Sequence, residues 1–134
     1  MAPQPPTTPA GKSEARRFLQ KAEEFLRTAM LAREAGQTNS AGMLAIHAGI
    51  SACDALTAHD LGKRSKSGRH HDVLLLIAHV RIPEKAAVAR QLRQLLDAKN
   101  LVEYDDQMLI AGDEDKMLEA AKRIVEVARR RVKP

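Results

Sequence analysis

The stretch Leu95–Asp106 reads LLDAKNLVEYDD, and together with the residues before it decides the kind of fold. Val88, Leu92, Leu95, Lys99 and Val102 follow one another at spacings of 4, 3, 4 and 3, the mark of one buried helix face. A lysine stands in the middle of that stripe. Its stem can lie along apolar surface while the ammonium reaches water, which makes Lys99 an edge residue of the core. The other reading is a cation held at a functional cleft.

Outward from this helix the same period recurs. Ser13 is the expected cap of a first helix with the stripe Phe18, Leu19, Ala22, Phe25, Leu26, Ala29 and Met30, ended by Gly36. Asn39 or Ser40 caps a second, running to about Leu61 with Gly62 as its stop. That helix carries alanine and glycine on nearly every face, so it is expected at the centre, with neighbours packed closely around it. His70, His71 and Asp72 open a short helix through about Val80. Pro83 stops it and suits the first turn of the fourth helix, which contains the opening stretch and is expected to end between Asp106 and Gly112. Asp113 caps a last helix that turns Met117, Leu118, Ala121, Ile124, Val125 and Ala128 inward. No segment alternates as a strand does, and no repeat of fixed period occurs. The fold class is therefore all-α, an antiparallel bundle of four to five helices.

Composition narrows the function. A chain of 134 residues fits a single helical domain, 13–132, behind a Pro-rich leader, 1–12, read as disordered. Lysine and arginine number 22 against 17 acids, a surplus of +5 that suits an anionic partner without requiring one. The single cysteine, Cys53, allows no internal disulfide and fits a reducing, cytoplasmic setting. The longest wholly apolar run, VLLLIA at 73–78, falls far short of the roughly 20 residues that span a bilayer, so no membrane role is expected. Phe18, Phe25 and Tyr104 are the only aromatic residues, which argues against a stacking platform for single strands and leaves charge to carry any nucleic-acid contact.

Three polar side chains of the second helix, His47, Ser51 and Asp54, fall in one narrow sector beside the apolar stripe of Met43, Ile46, Ile50 and Cys53. They either satisfy one another inside the bundle or form a polar wall facing a cleft. Asp54, an anion beside an alanine-rich face, wants a cation, and Lys99 is the obvious candidate. The segment GKRSKSGR, residues 62–69, reads as an exposed basic loop. Its Lys63, Arg64, Lys66 and Arg69, with His70 and His71 beyond, are either solvated or able to grip a phosphate backbone. Neither HExxH nor any Cys/His spacing is present, so no metal and no cofactor are expected. No phosphate loop, nucleophile elbow or paired-carboxylate constellation is recognisable.

The order of five helices, the segment IHAGISACDAL, the loop running into GRHHDVLLL and above all KNLVEYDD resemble the HEPN superfamily of small all-α domains, over roughly residues 14–130. In that family an arginine, commonly followed by asparagine, and a histidine four to six residues on form a metal-independent ribonuclease site, often assembled across a homodimer. Many members are toxins, or partners of a nucleotidyltransferase antitoxin, and others have lost the nuclease residues. The resemblance places Lys99 at the arginine, Asn100 at the asparagine and Tyr104 at the histidine. Lysine keeps the charge but loses the planar fork that grips phosphate twice. Tyrosine, with an ordinary pKa near 10, is a poor base at neutral pH. The resemblance thus implies a homodimer that binds RNA or a nucleotide with a weakened nuclease site. Its rivals are an active toxin or defence ribonuclease and a helical interaction domain without a nucleic-acid role.

Overall fold

The computed structural model describes residues 5–66, 71–104, 109–110 and 112–133, with the backbone alone for 101–104. In chain order these form β1 (Thr7–Pro9), α1 (Lys12–Glu34), α2 (Thr38–Leu61), β2 (Lys63–Ser65), α3 (His71–Ile77), α4 (Lys85–Tyr104) and α5 (Asp113–Arg131). The five expected helices are all there, and the class is all-α.

The ribbon is new. β1 pairs antiparallel with β2, Thr7 opposite Ser65, Thr8 opposite Arg64 and Pro9 opposite Lys63. Residues 7–12 therefore lie against the body of the protein instead of forming a disordered leader, and 63–65 are strand, not loop. Bonds on either side close the ribbon: Ala10 N–H donates to Gly62 O and Lys66 N–H to Pro6 O, each at 3.0 Å. Three residues per strand are too few to display alternation, so the sequence pattern is silent there.

Helix starts also shift. Gly11, not Ser13, precedes α1; its N–H donates to Glu14 Oε2 at 2.9 Å, and Ser13 Oγ donates to the same oxygen at 3.0 Å. Gln37 precedes α2, while Asn39 Oδ1 accepts from the Leu109 N–H at 3.0 Å and so ties the α4–α5 connection to the start of α2. Gly112 precedes α5 at φ 105°, a conformation that favours glycine, and Asp113 accepts instead from the Ile110 N–H. α4 is described as far as Tyr104, and the expected end between Asp106 and Gly112 falls mostly outside the described residues.

The central helix is α2, buried almost throughout from Ala41 to Thr57 and packed by α1, α4 and α5. By length and composition it could cross a bilayer, but most of its apolar surface is covered by these neighbours. α1 lays Ala15, Leu19, Ala22, Leu26 and Ala29 on the core, large and small alternating, which brings the helices close. Phe18 and Phe25, expected in that stripe, flank it half-buried, and Met30 is exposed. On another side α2 carries Gly42 and Gly49. A Cβ at Gly49 would lie 2.5 Å from Leu95 Cδ1, and one at Gly42 would lie 2.6 Å from Leu109 Cδ1. Such distances admit glycine without rearrangement and little else. Met117 reaches Gly42 and Ile124 reaches Gly49, so α5 runs parallel to α2 while α4 runs back along it.

Candidate functional site

The family motif sits on the last turns of α4. Val88, Leu92, Leu95 and Leu96 are fully buried and hold that helix against the bundle. Lys99 continues their stripe and is half-buried, while Asn100, about 100° further round, is exposed. Tyr104 follows one turn beyond Asn100 on the same helix. Lys99 therefore occupies the position that its spacing predicts, at the end of a core stripe where an amphipathic side chain fits.

The polar face of α2 points elsewhere. Asp54 lies about 140° round the helix from Gly49, against which α4 packs, so the expected pairing of Asp54 with Lys99 does not occur. The cations acting on Asp54 are Arg64 and Lys21. They belong to a strip along the α1–α2 seam. His47 stands 6.0 Å from the Phe25 ring, Lys21 Nζ lies 5.9 Å from the same ring, and Arg64 lies 5.4 Å from the Phe18 ring. Burial raises the Asp54 carboxyl to about 7, against the opposing pull of Arg64 and then Lys21. Ser51 is buried beside it. Cys53, next along the helix, is buried in the core, and its thiol is pushed well up by desolvation and by the Asp54 charge.

The basic residues gather at the C-terminal end of α2. Lys63 and Arg64 are half-buried in β2, with Arg64 Nη1 donating to Ser65 O at 3.2 Å. Lys66 and His71 are exposed. Arg69 and His70 lie outside the described residues. Counted at 1.5 Å per residue along α2 from Gly49, Lys99 falls about 6 Å toward the N-terminal end and Arg64 about 20 Å toward the other. Within one chain the motif and the basic strand do not form one groove. Among the described residues no three of His, Cys, Asp and Glu converge as metal ligands would.

Two residues escape the sequence reading. Lys21 is one, although an antiparallel α1–α2 hairpin that sets Phe25 against His47 also sets Lys21 near Asp54. Asp60 is the other. Its side chain is fully shielded from solvent, its Oδ1 is 2.7 Å from His59 Nδ1 and accepts from Arg131 Nε at 3.0 Å, and its Oδ2 accepts from the Arg81 N–H at 2.8 Å. Burial raises this carboxyl, but the bonds from His59, Arg81 and Arg131 outweigh it and hold the group below the usual carboxylate range. The signal was an acid in the last turn of a helix, where the macrodipole disfavours it unless partners are supplied.

The family model for the HEPN domain matches residues 15–132, nearly the whole helical body. No curated protein and no solved structure matches the chain. With five helices in the expected order and the motif turn at the end of α4, the chain belongs to the HEPN family.

Proposed function

We propose that this HEPN protein binds RNA or a nucleotide through the C-terminal turns of α4, with nuclease activity weak or absent, and that it does so as a cytoplasmic homodimer. The observation that carries the reading is the pair Lys99 and Asn100 at the end of α4, a half-buried cation beside an exposed amide. Lys99 supplies charge to a phosphate oxygen, and Asn100 can donate to the same group or to a ribose hydroxyl. Cleavage needs more. Without a guanidinium the developing charge on phosphorus has one point contact, and a tyrosine at the histidine position offers no base near neutral pH. Asp54 lies too far round α2 to orient Lys99, which removes a further support for chemistry. Lys63, Arg64 and Lys66 provide a separate cationic stretch for a longer strand, at the far end of α2.

The test is incubation with end-labelled single-stranded RNA beside the Lys99→Ala variant, reading retention and cleavage on one gel. The expected result is intact RNA, retained by the wild type and several-fold less by the variant, with retention falling as salt rises. Cleavage that the variant abolishes would make this an active ribonuclease. Neither retention nor cleavage would leave a protein-interaction domain.

A further inference from the structure

Asp60 does more than close the end of the bundle. One of its oxygens, Oδ1, meets His59 Nδ1 at 2.7 Å and Arg131 Nε at 3.0 Å, so a carboxylate shut off from water holds an imidazole and a guanidinium side by side. Each partner gives it one nitrogen. Among the described residues nothing in the chain bonds Arg131 Nη1 or Nη2, or His59 Nε2, and both side chains are partly open to solvent. A guanidinium held through Nε keeps its remaining donors for another acceptor.

Arg131 also lines a depression of about 180 Å³ between the end of α5 and the start of α4. The lining is Ile82, Pro83 and Glu84 from the α3–α4 connection and Val127, Arg130 and Arg131 from α5. Since a water takes about 30 Å³ of liquid, there is room for a tetrahedral oxyanion and a few waters. Two arginines against one acid make the lining cationic. Arg130 Nη2 lies 3.7 Å from Glu84 Oε2 and its Nε 3.8 Å from Glu126 Oε1, both too long for hydrogen bonds. Arg129 differs: it reaches Glu126 at 2.7 Å and Glu23 at 3.3 Å. Cations in the last turn of a helix answer its macrodipole, which accounts for the three arginines as a group. It does not account for the aspartate in the last turn of α2 that fixes one of them, because the same dipole disfavours an acid there. A buried carboxylate that sets the rotamer of an arginine at the edge of a cationic depression preorganises that arginine for a second oxyanion.

We propose that this depression binds a phosphate group, free or as the monoester of a nucleotide, with Arg131 and Arg130 donating to its oxygens and His59 beside them. One small depression suits a single tetrahedral group better than a strand. Asp60 touches no ligand; it positions Arg131 and His59. The site lies at the opposite end of α2 from Lys99 and stands apart from the reading of the α4 turn.

The experiment follows the His59 ring by NMR as inorganic phosphate is added at fixed pH, beside sodium chloride at equal ionic strength. The signals, assigned by their loss in His59→Gln, are expected to shift along a saturable curve with phosphate and to stay in place with chloride. Arg131→Lys keeps the charge but loses the fork, and is expected to weaken binding by about tenfold or more. Arg130→Gln leaves Asp60 and its bonds intact and is expected to weaken binding several-fold; it decides the matter if circular dichroism shows Arg131→Lys unfolded. Arg33→Gln, beside the start of α5, removes one positive charge far from the depression and should change nothing. Adenosine monophosphate and adenosine separate the sources: monophosphate binding tighter than phosphate marks a nucleotide, and equal or weaker binding marks the free anion. Adenosine that shifts the ring as the monophosphate does would overturn the site, as would shifts that chloride reproduces or an equal loss in Arg33→Gln. Arg131→Lys binding as tightly as the wild type would overturn the positioning by Asp60.

Discussion

Asp54 and Asp60 lie on the same helix, both side chains are largely hidden from water, and their carboxyls shift in opposite directions. Asp60 receives bonds from three elements of the bundle and stays ionised below the usual carboxylate range. Asp54 is buried beside alanine and cysteine, and Arg64 and Lys21 act on it through space, so its carboxyl rises to about 7. What separates them is aimed donors. A cation resting on an aromatic ring softens the desolvation of a nearby carboxylate, whereas an N–H pointed at its oxygen replaces the water that burial removed. The Asp60 region is built for stability; the Asp54 region responds to pH across the physiological range.

The largest effect should come from breaking the stable member. Asp60→Ala removes the acceptor that joins the end of α2 to the α3–α4 connection and to the end of α5, and leaves the Arg81 N–H and Arg131 without it. A loss of about 3 kcal/mol is expected at neutral pH, read as a fall in urea midpoint with unchanged slope. The pH dependence has a fixed sign. Because the folded pKa is depressed, the contribution is complete above the ordinary carboxylate value and disappears as pH falls through the folded one. Asp60→Asn should therefore lose less stability than the wild type on acidification below about pH 4.

At Asp54 the sign reverses. Its folded pKa is raised, so the folded state binds more protons than the unfolded one between the ordinary value and about 7, and stability falls as pH rises through that window. Between pH 5 and pH 8 this group should remove on the order of 2 kcal/mol, and Asp54→Asn should flatten the slope. Urea titrations of both proteins at the two pH values decide it. Equal slopes would mean that Arg64 and Lys21 approach closely enough in solution to keep the carboxylate ionised, and the contrast with Asp60 would vanish.

The contrast also marks what the sequence could tell. Each helix was legible because the 3.6-residue period writes its buried face into its own residues, and that period placed Lys99 on the α4 stripe, while the motif reading came from the family resemblance. Which faces meet was not legible. Taken separately, the stripes of α2 and α4 allow Asp54 to look toward Lys99; Gly42 and Gly49 decide otherwise by drawing α4 and α5 to the opposite side. The short α1–α2 connection is informative too, since an antiparallel hairpin that sets Phe25 against His47 also sets Lys21 near Asp54. The ribbon of β1 and β2 was beyond reach, because three residues hold no periodicity and the partner strands lie some 55 residues apart.

The smallest effect tests whether bond length or surroundings set the value of an ion pair. Arg33 Nη1 lies 2.9 Å from Asp115 Oδ1, and Arg131 Nε lies 3.0 Å from Asp60 Oδ1, so geometry alone would rank them equal. Their surroundings differ: the side chains of Arg33 and Asp115 are 44% and 60% exposed, while Asp60 is fully shielded. Exposed pairs gain little, because water screens the attraction and ordering two long side chains costs entropy. A double-mutant cycle with Arg33→Ala and Asp115→Ala should give a coupling of about 0.5 kcal/mol or less, shrinking further in 0.5 M salt. A coupling above about 1 kcal/mol that survives salt would make this pair a true clamp between α1 and α5. The value of Asp60 would then have to be credited to the number of its partners rather than to its seclusion from water.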